Sequence, residues 1–221
     1  MRLKSALRRG VAAAVIAGVV VSSGIPAYAG TWDIANGDIT VKGASDESGN
    51  YNKVKQGDKD FEKDEGETVI TGESDKNTVT IDTSGGKVDV TFDDLKIDAS
   101  DKGKAAVRVE GGHDATIELD GDNKLKSGSH NAGLEKNGNE SSGKLTIKDD
   151  NDTKGSLTAK GGEGGGAGIG GGIKSTGSSI TIRGGTIKAV GGSNAAGIGD
   201  GAGRATGPTC LLYTSPSPRD Y

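Results

Sequence analysis

Between Gly30 and Thr209 the chain has no cysteine; its single one is Cys210. A disulfide framework is therefore excluded, and strand pairing and side-chain stacking must hold whatever fold forms. Aromatic residues make up 3% of the sequence, and in that stretch they are Trp32, Tyr51, Phe61 and Phe92 alone. A sugar-binding surface built from a row of exposed rings has little material here, and each of the four serves equally well as a core or cap residue. No segment after Gly30 carries an apolar stripe of helical period. The one long apolar run, Val11 to Val21, is too short to cross a membrane comfortably.

Positive charge is also short. The first 29 residues read as a secretory signal peptide, with a basic start (Arg2, Lys4, Arg8, Arg9), that apolar run, and Ala27-Tyr28-Ala29 as the cleavage site. At the other end, Cys210 to Tyr221 breaks every pattern before it and back-translates as a sequencing-library adapter read in frame, so the natural chain is expected to continue past Thr209. Setting aside the four basic residues of the leader and the Arg219/Asp220 pair of the tail turns the formal net charge from −4 into −8. That balance argues against nucleic acid and anionic membranes as partners, and the leader predicts a secreted or cell-surface protein with no membrane insertion after cleavage.

What the chain does have is glycine, 40 residues of it, and a repeat. Leu157-Thr158-Ala159 returns as Ile187-Lys188-Ala189 at an offset of 30, and Ala167-Gly168-Ile169-Gly170 returns as Ala196-Gly197-Ile198-Gly199 at 29. Looser copies lie upstream: Ala132-Gly133-Leu134 and Leu145-Thr146-Ile147, each 35 residues before its match. A period near 30, with three short β-type runs per unit, predicts an all-β, right-handed parallel β-helix, a solenoid of about five coils, truncated at the C-terminus. In-register stacking would give the columns Val107/Leu134/Ile169/Ile198, Ile117/Leu145/Ile180 beside Leu119/Ile147/Ile182, and Leu125/Leu157/Ile187. The expected organisation is leader 1–29, an N-terminal cap and irregular first coil 30–75, coils 76–209, and the adapter-like tail 210–221. Within the irregular part, Asp58 to Glu67 reads as a solvated, charge-dense loop, and Trp32, Tyr51 and Phe61 are cap material.

The chemical motifs are weak. Gly166 to Gly171 fits G-x-G-x-x-G, but the next regular stretch, Ser179 to Ile182, is a strand, so tight turns are the reading rather than a dinucleotide site. Asp149 to Gly155 resembles a calcium loop, yet Lys154 occupies a ligand position. The better calcium candidates are collective, a ladder of Asp93, Asp94, Asp98, Asp120, Asp122 and Asp150 across neighbouring coils. His113 and His130 stand in polar turns, and carboxylates are so numerous that a chance pair says nothing about hydrolysis. Lys96, Lys126 and Lys148, with Trp32, are the candidate ligand-binding residues. Outward lysines of this kind suit an acidic polysaccharide or plain solvation.

In order along the chain come Trp32-Asp33-Ile34, Gly37-Asp38-Ile39-Thr40-Val41, Tyr51 with Val54 and Gln56-Gly57, Val69-Ile70-Thr71-Gly72, Asn77-Thr78-Val79-Thr80-Ile81, Val90 to Asp98, Leu119 to Gly128 and Ala167 to Gly172. Taken together they resemble the secreted bacterial carbohydrate-binding domain-containing proteins, Gly-rich right-handed parallel β-helices of Gram-positive anaerobes. The resemblance implies non-catalytic binding of plant or microbial cell-wall polysaccharide, or surface adhesion, with Ca2+ as the candidate cofactor. Two alternatives stand beside it: a structural stalk carrying a lost C-terminal module, and a polysaccharide lyase or hydrolase.

Overall fold

The computed structural model describes residues 30–64 and 66–203; the leader and the adapter-like tail read from the sequence lie outside them. The described chain is all-β, with one 3-10 turn at Ile34–Asn36 and no α-helix. Two eight-stranded sheets account for its strands. The first sheet contains β1 (Thr31–Asp33), β5 (Thr68–Ser74), β7 (Val88–Asp98), β9 (Ala115–Lys126), β11 (Leu145–Lys148) and β14 (Ile180–Ile182), neighbours in that order. The shorter β12 (Gly155–Lys160) and β15 (Thr186–Val190) extend it alongside the second half of β9.

The second sheet runs β16 (Ile198–Gly199), β13 (Ile169–Gly170), β10 (Leu134–Glu135), β8 (Val107–Glu110), β6 (Val79–Asp82), β2 (Ile39–Asp46), β3 (Gly49–Gln56), β4 (Glu62–Asp64). From β5 onward the chain passes back and forth between the two sheets, with β11–β12 and β14–β15 as successive strands of the first, and each return pairs parallel with the strand laid down one unit earlier.

Period-2 alternation explains these elements. In β6, Val79 and Ile81 are buried while Thr80 and Asp82 are half-exposed, and β8 and β11 repeat the pattern. The inward residues form continuous columns. Ile39, Val79, Val107, Leu134, Ile169 and Ile198 pair in succession along the second sheet. The last four are the column the repeat predicts. Each fully buried aliphatic side chain contributes about 1.5–3 kcal/mol, so the columns are the main source of cohesion.

The first sheet differs from expectation at one strand. The pairing is Leu145 with Ala115, Ile147 with Ile117, and Ala159 with Leu125, so β9 sits two residues away from the predicted register. Ile117 and Leu125 are therefore one rung off, and Leu119 pairs with Phe92 instead of Ile147. Leu157 and Ile187 do pair as predicted. A slip of two keeps every side chain on its own face, so apolar alternation cannot detect it, whereas a slip of one would expose the core.

What sets the register of β9 is polar. Asn123 is fully buried; its Oδ1 accepts from Leu95 N at 2.9 Å, and its Nδ2 donates to Asp120 O at 2.9 Å and Ser156 O at 3.0 Å. This side chain ties three adjacent strands at a bend. The bend also carries register shifts, between Thr71 and Glu73 and between Asp93 and Lys96. Gly121 stands there at φ +62°, and a Cβ on it would lie 2.6 Å from Asp94 Oδ1.

The glycines of the Ala-Gly-Ile-Gly repeat have a different cause. A Cβ on Gly168 would come within 2.6 Å of both Gly197 O and Val190 N, because backbones of successive units pass in contact there. The G-x-G-x-x-G match thus contains the short strand β13, and the next element is another strand, β14.

The irregular N-terminal part contains its own device. β2 and β3 form an antiparallel hairpin, Ile39 opposite Gln56 through Asp46 opposite Gly49, and β4 adds antiparallel to β3. The segment expected to be a solvated loop therefore includes a short strand. Phe61 within it is 45% exposed and caps nothing.

Candidate functional site

Outward positions of the first sheet form polar rows, because a register that stacks the inward residues must stack the outward ones too. One row runs Asp89, Thr116, Thr146, Thr181; the next places Thr91 beside Glu118 and Glu118 beside Lys148. Apart from Thr181, these rows floor a groove of about 690 Å3 that passes over β7, β9 and β11. Its wall comes from the hairpin and the chain after it, through Asn50, Tyr51, Asn52, Asp64 and Glu67.

The wall is fastened to the floor by hydrogen bonds. Asn52 is buried, and its Nδ2 donates to Asp89 O at 2.7 Å and to Thr68 Oγ1 at 2.8 Å. Thr91 Oγ1 donates to Glu67 Oε1 at 2.6 Å. Asp64, also buried, accepts from Thr68 Oγ1 (3.0 Å), Gly30 N (3.2 Å), Trp32 Nε1 (3.2 Å) and Gly66 N (3.4 Å). Tyr51 stands half-buried in this wall, with Lys63 Nζ 4.3 Å and Lys53 Nζ 6.0 Å from its ring centroid.

On the floor, Lys148 Nζ lies 2.7 Å from Glu118 Oε2 and 2.6 Å from Asp150 Oδ1. Glu118 is 7% exposed, and its Oε1 accepts from Asp150 N at 3.0 Å. Burial works against the Lys148 ammonium, but the hydrogen bonds to Asp150 and Glu118 outweigh it and raise its pKa above the ordinary lysine value. The Lys148 hydrogen bond, opposed in part by burial, holds the Asp150 carboxyl below the usual range. At the far end from Tyr51 the groove is lined by Lys144, Asn151 and Arg183.

Of the residues singled out from the sequence, Lys148 and Asp150 stand in the groove. Trp32 does not: its ring packs against the core and its Nε1 is committed to Asp64. Lys96 and Lys126 lie beyond the bend, where Lys96 pairs with Lys124, and Lys126 Nζ lies 2.9 Å from Asp98 Oδ2. Asp93 and Asp120 are in register at the bend, beside Asp94. Desolvation, then repulsion from Asp94 and Asp120, raises the Asp93 pKa.

The remaining carboxylates of the expected calcium ladder are taken up by the protein. Asp94 Oδ1 accepts from Asp122 N, Asp120 Oδ1 from Asn151 Nδ2, and Asp122 Oδ1 from Ser156 Oγ. Among the described residues no group of three or more His, Cys, Asp or Glu side chains is arranged to hold a metal ion.

Several groove residues escaped the sequence reading. Thr116, Thr146 and Glu118 were accessible to it, since they alternate with the inward columns. Tyr51 and Asp64 were not, because only the antiparallel return of the hairpin brings them over β7. No family model matches the chain, and neither does any curated protein or solved structure.

Proposed function

We propose that the chain is an exported, non-catalytic polysaccharide-binding or cell-surface adhesion module, built as a right-handed parallel β-helix, and that an extended glycan lies in the groove across the strands. What carries the reading is the in-register outward rows, which offer the same hydroxyl at Thr116 and Thr146 on the groove floor and repeat it at Thr181 on the next strand. Strands are spaced by about 4.8 Å, close to the length of one pyranose unit in an extended chain. A polymer of that repeat meets equivalent donors and acceptors along its length, while Tyr51 offers one aromatic face at the end of the groove.

The solenoid reading draws on the chain's repeated parallel returns to the two sheets from β5 onward and on the six-membered Ile39 to Ile198 column. Its right-handedness follows the strong preference of parallel crossover connections. The resemblance noted above points to the same function.

The test is affinity electrophoresis of the chain through gels containing soluble glycans, together with pull-down on insoluble cell-wall polysaccharides with and without chelator. Retardation that Tyr51→Ala weakens supports the groove. Retention by no glycan favours the stalk reading, and release of unsaturated or reducing-end products assigns the groove to a lyase or hydrolase.

A further inference from the structure

The second sheet carries a hollow of its own, about 370 Å3 in volume, which shares no lining residue with the groove. Its floor is an outward row across β2, β6 and β8, in which Thr40 pairs with Thr80 and Thr80 with Arg108. Gly103, Lys104, Ala105 and Asn131 form the rim. That rim is tied in place, because Asn131 Nδ2 donates to Gly103 O at 3.0 Å and to Ser129 O at 2.8 Å.

Two features set this row apart from a solvated strand face. Thr40 and Thr80 are half-buried, yet neither hydroxyl makes a hydrogen bond among the described residues. Arg108 is pre-positioned: its Nε and Nη2 both donate to Glu135 Oε1, at 3.2 and 2.7 Å, and Glu135 is only 1% exposed. Its Nη1 makes no hydrogen bond among the described residues, so a fixed guanidinium keeps unspent donors beside two unspent hydroxyls.

The charges lining the hollow cancel, Lys104 and Arg108 against Asp38 and Glu110, and no aromatic ring is among them. Such a lining suits a neutral, hydroxyl-rich ligand gripped by its edge through hydrogen bonds, not stacked by its face.

We infer that this hollow is a second saccharide site, specific for neutral sugar, and that one chain can therefore bridge two glycan strands. The inference rests on the glycan-binding reading of the protein and adds a second place of contact. Two weak sites on one rigid body raise avidity for a glycan network without any further contact, which is what an adhesion module requires.

The experiment titrates the full chain calorimetrically with neutral hexasaccharides of xylose, glucose and mannose at low and high salt, for the parent, for Thr40→Val/Thr80→Val and for Tyr51→Ala. The parent should take up two oligosaccharides per chain. The threonine double variant should keep one of them, with binding at the hollow at least about tenfold weaker, and Tyr51→Ala should keep the other. Valine preserves the shape of threonine on a strand, so both threonine positions should leave the melting temperature unchanged.

Parent stoichiometry retained by Thr40→Val/Thr80→Val, or a single site that Tyr51→Ala abolishes, overturns the hollow and leaves the groove standing. A single site that only the threonine variant abolishes upholds the hollow and removes the groove instead. Binding at the hollow that high salt abolishes makes the contact ionic and overturns its neutral specificity. If the parent takes up none of the three oligosaccharides, both sites fall together.

Discussion

The first sheet divides at its bend into two stretches that are built alike inside and differ outside. Before the bend, Val88, Val90 and Phe92 face the core and the outward rows are covered on one side by the β3–β4 wall. Beyond it, Ile97, Leu125, Leu157 and Ala159 are equally buried, and the outward side presents Lys124, Lys126, Lys160 and Lys188 in the open, with Lys96 half-exposed. Both stretches carry charge in abundance. Only the first has a wall, and there Lys148 pairs with Asp150 and with the buried carboxylate of Glu118. The open stretch has solvated pairs such as Lys124–Asp122 and Lys126–Asp98, worth little each. A concave cover, rather than the residue types beneath it, separates a site from a surface.

Breaking each stretch at its anchor should give the largest effects. Asn123→Leu removes the acceptor for Leu95 N and the donor to two carbonyls inside the bend, and should cost on the order of 3 kcal/mol in chemical denaturation. An unaltered midpoint would show that the bend does not depend on that side chain. Asp64→Ala strips partners from Trp32, Thr68 and Gly30, and should cost about 2 kcal/mol. Hydrogen exchange should quicken in β3 and β4 while β12 and β15 stay protected; uniform loss across both stretches would deny the wall its separate role.

Smaller changes sharpen the contrast. Lys96→Gln with Lys126→Gln should leave both glycan retention and stability within about 0.5 kcal/mol of the parent, and a clear loss of retention would move the site beyond the bend. Asp93→Asn tests the junction itself. The folded-state pKa of Asp93 is raised, so its ionisation opposes folding once pH rises through that value. The substitution should therefore raise Tm slightly at pH 7, with the gain shrinking as pH falls and vanishing below the ordinary aspartate value. A gain independent of pH would exclude charge as its cause.

How much of this was legible in the sequence follows from the same physics. The Val107, Leu134, Ile169, Ile198 column and the Leu157–Ile187 pair could be read from spacing, because each unit repeats its apolar beat. The rung occupied by β9 could not, since Ala115 and the buried Asn123 take places where an apolar residue was sought. The candidate site was half visible. Lys148 announced itself by alternation in β11, whereas Tyr51 and Asp64 act through a hairpin that crosses the repeat instead of belonging to it. Trp32, the most conspicuous side chain in the sequence, turned out to be fastened to Asp64 and the core.

The hairpin has one more consequence, in time rather than in space. Parallel neighbours in this molecule are separated by a whole repeat of chain: Val79 meets Val107 and Leu134 meets Ile169. By contrast, Asp46 meets Gly49 across a tight turn, and Val41 meets Val54. Closing a short loop is fast and costs little entropy, while each long return must wait for a partner already in place. Assembly is therefore expected to begin at β2 and β3 and to proceed outward one unit at a time. In pulsed hydrogen exchange during refolding, the amides of Val41 and Val54 should gain protection before that of Ile147, so the wall of the groove exists before its floor.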